Sequence, residues 1–219
     1  DPDYLDAKMV VGTHNYVIGN LPWTYRTAAT LAGLSGSKEK GLAYLREVAR
    51  SEGENSVDAK VLLSLFLRRE HHYDEALGYM RDLAARYPHN HLFPTEVANL
   101  LRASGHLDEA EALYRKVWQN GQEGKYDRLH YEMAAWGLGD LLRNKKDYSG
   151  AAAAYDLVNK APDPDPDILQ KANLAAGEMY DLLQKRDLAM KSYQTVLAGN
   201  GNTGPADQAR RYIREAYRE

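Results

Sequence analysis

The chain has 219 residues, 44% hydrophobic and 27% charged, which is a globular composition and not a disordered one. Its net charge of −3 supplies no overall basic field for nucleic acid or anionic lipid. It has no cysteine, which removes disulfide frameworks, thiolate metal sites and thiol catalysis.

Taken in chain order, the first stretch opens at Asp1-Pro2 without a methionine. It reads as a processed or trimmed chain, so localisation stays open between cytoplasm and export. Periodicity predicts a helix from Tyr4 to about Ile18, broken by Gly19-Asn20-Leu21-Pro22. A short helix from Thr24 to about Gly33 is expected to pair with a helix that starts near Ser37 and carries Gly41, Leu42, Leu45 and Val48. No apolar run approaches the length of a membrane span; the longest, around Val61–Leu67, is too short.

From residue 57 onward a unit recurs. Tyr73-Asp74-Glu75-Ala76 and Leu107-Asp108-Glu109-Ala110 place their alanines 34 residues apart. Ala151 follows Ala110 by 41 residues and Ala189 follows Ala151 by 38, the excess falling in loops at Gly121–Lys125 and Pro162–Pro166. Each alanine is followed four residues later by Met80, Tyr114, Tyr155 or Tyr193, on the same helical face. The helix before each carries a large–small pair: Leu63-Ser64, Val97-Ala98, Leu138-Gly139 and Ala176-Gly177. Pro205-Ala206-Asp207 opens a last helix to about Arg218, with Ala209, Tyr212, Ile213 and Ala216 on its inner face.

Over residues 57 to about 203 this pattern resembles the tetratricopeptide-repeat (TPR) family. The resemblance implies an all-α, right-handed superhelix of about five helix pairs with N-terminal and C-terminal capping helices. The units would be 57–90, 91–124, 132–165 and 170–203, after a divergent unit over 1–56 and before a capping helix over 204–219. The sequence departs from the family at Lys60 and Pro94, where a large aromatic is common.

The resemblance also implies a concave groove lined by the first helix of each pair. That places Asp58, Val61, Leu65 and Arg68 on it, then Thr95, Asn99 and Arg102, then Met133, Trp136, Asp140 and Arg143, then Lys171, Leu174, Glu178 and Asp181. Arg68, Arg102 and Arg143 stand at equivalent positions, and a row of guanidinium groups suits an acidic or carboxylate-ended peptide. The same row also reads as solvated arginines at helix C-termini. Trp136 reads either as an aromatic anchor or as core packing. The candidate partner-binding residues are Arg68, Asn99, Arg102, Trp136, Asp140, Arg143 and Glu178. A chaperone-type carboxylate clamp is not implied: at Val61, Leu65, Glu96, Asn99 and Trp136, only Asn99 fits.

No catalytic or metal constellation emerges. The seven histidines, including His71-His72 and His89-x-His91, have no converging ligand spacing. The glycine-rich Gly199–Gly204 segment follows no strand, and Asp163, Asp165 and Asp167 lack the glycine and distal glutamate of a calcium loop. The expectation is a non-enzymatic scaffold for a protein or peptide, with no cofactor, nucleic acid or membrane insertion. The alternatives are a structural or oligomerisation subunit, or the accessory region of a longer protein.

Overall fold

The computed structural model describes residues 4–51, 53, 55–127 and 130–219. Among them the chain is all-α, with twelve helices and no strand. It divides into two compact units, Asp1–Arg86 and Tyr87–Glu219. No helix among the described residues is long and apolar enough to cross a membrane.

The first unit contains α1 (Leu5–Gly19), α2 (Trp23–Leu31), α3 (Lys38–Arg50), α4 (Ser56–Arg69) and α5 (Tyr73–Arg86). Helices α1, α3, α4 and α5 pack consecutively. The partner of α3 is α1, and not the short helix that periodicity suggested. Glycines explain this choice. A Cβ on Gly41 would lie 2.6 Å from the Gly12 carbonyl oxygen and from the Tyr16 nitrogen, so the two backbones meet where no side chain fits. Helix α2 buries no residue. Gly33, at φ +81°, turns the chain at its end, but Leu34, Ser35 and Gly36 then intervene before the α3 cap at Ser37.

Tyr16 locks α1 onto α4. Its ring stacks on Phe66 at 3.9 Å, and its hydroxyl donates to Glu70 at 2.9 Å. Burial and that hydrogen bond push the Tyr16 phenol up to about 12. Lys60, the odd residue in the repeat pattern, is buried with its ammonium on Asp82 at 2.5 Å. The aliphatic stem is buried while the charged end meets the partly exposed Asp82 at the edge of the packing.

The second unit contains α6 (Leu92–Ala103), α7 (Leu107–Gln122), α8 (Glu132–Asn144), α9 (Tyr148–Val158), α10 (Pro166–Leu182), α11 (Arg186–Ala198) and α12 (Gly204–Arg214). Each packs on the next, and α6 also touches α8, α8 touches α10, and α10 touches α12. Pro94 sits in the first turn of α6, where its missing N–H has no intrahelical role.

The hairpins α4–α5, α6–α7, α8–α9 and α10–α11 share one turn. A residue with positive φ follows the first helix: His71, Gly105, Lys146 and Gln184. The next amide then donates back to the first helix, His72 to Leu67, His106 to Leu101, Asp147 to Leu142 and Lys185 to Tyr180. This left-handed cap satisfies helix-end carbonyls and reverses the chain. Inside the hairpins the repeated pairs Ala76/Met80, Ala110/Tyr114, Ala151/Tyr155 and Ala189/Tyr193 are all buried. The tyrosine rings rest on glycines: a Cβ on Gly139 would meet Tyr155 at 2.4 Å, and one on Gly177 would meet Tyr193 at 2.4 Å.

Helix α12 ends at Arg214, four residues before the predicted end. Its cap residue Glu215 is extended (φ −138°, ψ 118°) and turns the chain out of the helix. Ala206 and Ala209 are buried against Leu174, Tyr193 and Val196, while Ala216 lies beyond the helix.

Candidate functional site

The predicted partner-binding residues fall on the first helices of the four hairpins. Arg68 lies on α4 in the first unit; Asn99, Arg102, Trp136, Asp140, Arg143 and Glu178 lie on α6, α8 and α10 in the second.

On α4, Asp58, Val61 and Leu65 form an exposed stripe that ends at half-buried Arg68. Val61 and Leu65 are 42% and 50% exposed, which is unusual for branched aliphatic residues on a helix packed on both sides.

In the second unit the face is a ladder of charges. Arg102 on α6 pairs with Asp140 on α8 at 3.7 Å, and Arg143 on α8 pairs with Glu178 on α10 at 2.8 Å. Each arginine thus reaches the acid of the next hairpin. Tyrosines of the second helices hold side chains of the same face from behind. Tyr114 donates to Asn99 at 2.5 Å, and Tyr155 donates to Asp140 at 2.8 Å. Burial, and then the Asp140 carboxylate, raise the Tyr155 phenol well above its usual range. Trp136 is half-buried with its ring 5.3 Å from Tyr155, so the indole both packs and shows an edge.

Thr95 and Leu174, also expected on this face, are buried. Thr95 donates to the His91 carbonyl within its own helix, and Leu174 joins the core under α11 and α12. Glu178 is buried as well, and desolvation raises its pKa against the opposing pull of Arg143. Met133 is exposed at the start of the α8 stripe.

The far end of the face holds a group that spacing alone did not assemble. Asp181 occupies the position in α10 that Arg102 and Arg143 occupy in α6 and α8. Its side chain is 1% exposed. It accepts from Arg186 at 2.8 and 2.9 Å, from the Tyr193 hydroxyl at 2.8 Å and from the Tyr217 backbone N–H at 2.8 Å. Arg186 also donates to the Tyr212 and Ile213 carbonyls at the end of α12. Arg143 donates to the Tyr217 hydroxyl at 3.0 Å, and Tyr148 donates to Glu219 at 2.8 Å. In the sequence this end differs from the others only in that Asp181 stands where the two preceding hairpins carry arginine, and no expectation rested on that difference.

Among the described residues, no three His, Cys, Asp or Glu side chains stand close enough to hold a metal ion. No protein-family model and no curated protein matches the chain.

Proposed function

We propose that this chain is a TPR-type helical-repeat scaffold. The first helices of its second unit, α6, α8 and α10, form a concave groove that binds an extended segment of a partner protein, without catalysis by its own residues. One observation carries the reading. At equivalent positions of the second helices the buried residues repeat, Ala with Met or Tyr, while the exposed and half-buried residues of the first helices vary: Val61 and Leu65 on α4, Asn99 on α6, and Met133, Trp136 and Asp140 on α8. A repeated frame with a varied face suits recognition of one particular partner, because each layer contributes a different contact.

The internal pairing of Arg102 and Arg143 refines the expected ligand. Their charges are balanced within the ladder, so the face offers paired donors and acceptors in place of a bare cationic row. The test is affinity capture from the source lysate by the wild type, a Met133→Glu/Arg102→Glu variant and an Arg115→Glu control on α7. The reading expects a partner held by wild type and control and lost by the face variant. Equal capture by all three contradicts it.

A second reading rests on α2, which buries nothing and exposes Trp23 (74%), Tyr25 (67%) and Leu31 (86%). Apolar surface of this kind suits assembly with another protein surface. Sedimentation of the wild type beside Trp23→Ser/Tyr25→Ser separates it: a concentration-dependent oligomer abolished by the double variant supports assembly through α2.

A further inference from the structure

Residues 215–219 lie against the α8–α10 end of the second unit and add nothing to the buried core. None of residues 215–219 is buried, and α12 already covers the end of the repeat through Ala206 and Ala209. Glu215 is extended, its N–H closes the last turn of α12 on the Arg211 carbonyl, and residues 216–219 belong to no helix or strand. This segment is held at three points, by Arg143 and Asp181 of the face and by Tyr148 at the start of α9. Asp181 reads a backbone amide, that of Tyr217. Arg143 reads the Tyr217 hydroxyl. Tyr148 reads the Glu219 carboxylate. The tyrosine ring lies edge-on to Tyr212, 5.2 Å away, and the Arg143 guanidinium stands 5.8 Å from its centre.

These contacts are selective. The Asp181 carboxylate is held in place by Arg186 and by Tyr193, so it presents a fixed acceptor to one free backbone N–H. Arg143 is fixed likewise by buried Glu178, which aims the remaining guanidinium nitrogen outward. The pair therefore suits a tyrosine whose backbone amide is free of helical pairing, and Tyr148 adds an acidic residue two positions later.

We propose that residues 215–219 are an intramolecular ligand of the α8–α10 end of the groove, and that a partner's exposed, extended Tyr-x-acid segment competes with them for Arg143, Asp181 and Tyr148. This rests on the groove-binding reading above and names its ligand class and its regulation. A tail tethered directly to α12 sees its site at a millimolar effective concentration, so a partner segment must displace it to bind. The tail then acts as a threshold against weak ligands.

The experiment uses a fluorescein-labelled peptide of residues 215–219 as the probe, read by fluorescence anisotropy. It is titrated with the full chain, with the chain lacking 215–219, and with full-length Tyr217→Ala, each confirmed helical by circular dichroism. The proposal predicts that deletion and Tyr217→Ala both bind the peptide at least about ten-fold more tightly than the full chain. It also predicts that a peptide with alanine in place of its tyrosine loses that binding. Should the deletion misfold, Tyr217→Ala in the full chain carries the comparison. Equal binding to all three proteins overturns the self-ligand claim while leaving a working groove. No binding to any of them overturns the proposed ligand class, and the lysate capture by the face variants then decides separately whether the groove binds a partner at all.

Discussion

Glycine to alanine is a substitution whose sign this fold should reverse between two helices. In α5, Gly78 has nothing within 4 Å of a built Cβ and is exposed. Alanine there restricts the unfolded chain and favours the helix, so Gly78→Ala should stabilise by about 0.5–1 kcal/mol. In α8, a Cβ at Gly139 would lie 2.4 Å from two ring carbons of Tyr155. That ring is fully buried, and its hydroxyl is tied to Asp140 at 2.8 Å. To regain contact at 3.4 Å the ring must retreat by about 1 Å, which strains the Asp140 hydrogen bond and the contact with Trp136. Overpacking of a close-fitted core costs roughly 1–3 kcal/mol, and a weakened buried hydrogen bond about 1 kcal/mol more. These exceed the propensity gain, so Gly139→Ala should destabilise by about 1–3 kcal/mol net. Urea unfolding followed by circular dichroism measures both. If Gly139→Ala raises the midpoint as Gly78→Ala does, the ring-on-glycine packing of α8 and α9 is refuted.

Further outcomes follow from the same physics. Lys146 sits at φ +60° in the α8–α9 turn, a conformation that disfavours a side chain, so Lys146→Gly should raise the unfolding midpoint by an equivalent of about 1 kcal/mol. Arg46 binds Glu75 through two hydrogen bonds, at 2.7 and 2.8 Å, and holds its pKa below the usual 4.5. A lowered carboxylate contributes stability above its unfolded value and loses it as pH falls through the folded one. The wild type should therefore weaken below about pH 4.5, and Glu75→Gln should flatten that acid limb of a midpoint-against-pH curve. Glu178, raised by burial, works in the opposite sense: its contribution is present below its unfolded value and fades as pH rises through the folded one. Trp23→Ala should leave thermal stability within about 0.5 kcal/mol of wild type, because α2 buries nothing; a large loss would show hidden packing of that helix.

The helical class was legible because apolar residues recur at helical spacing and the chain lacks strand patterns. The 34-residue interval between Ala76 and Ala110 reappears as the interval between the turns at His71 and Gly105, and the longer intervals likewise reappear at Lys146 and Gln184. The pairing of α1 with α3 was not legible. It depends on backbone approach at Gly12 and Gly41, which periodicity does not report, and on the three residues that detach α2 from the next helix. The end of α12 was missed for a related reason. Ala216 and Tyr217 continue the helical pattern, but Asp181 and Arg143 hold Tyr217 outside the helix through contacts 36 and 74 residues away in sequence. The candidate face was found as a set of positions, whereas its internal pairing was not. Arg102 with Asp140 and Arg143 with Glu178 connect adjacent hairpins, and each partner is visible only once the hairpins are stacked.

The most direct test of the partner-binding account places a photoreactive side chain at position 133, on the exposed start of the α8 stripe, and at position 115, on the outer side of α7, in two otherwise wild-type proteins. Irradiation in the source lysate is followed by mass spectrometry of the cross-linked products. The account predicts one dominant protein cross-linked from position 133 through a short extended segment, and no such product from position 115. Cross-linking of that protein from position 115 alone, or from both positions equally, would contradict the claim that the first-helix face is where this chain holds its partner.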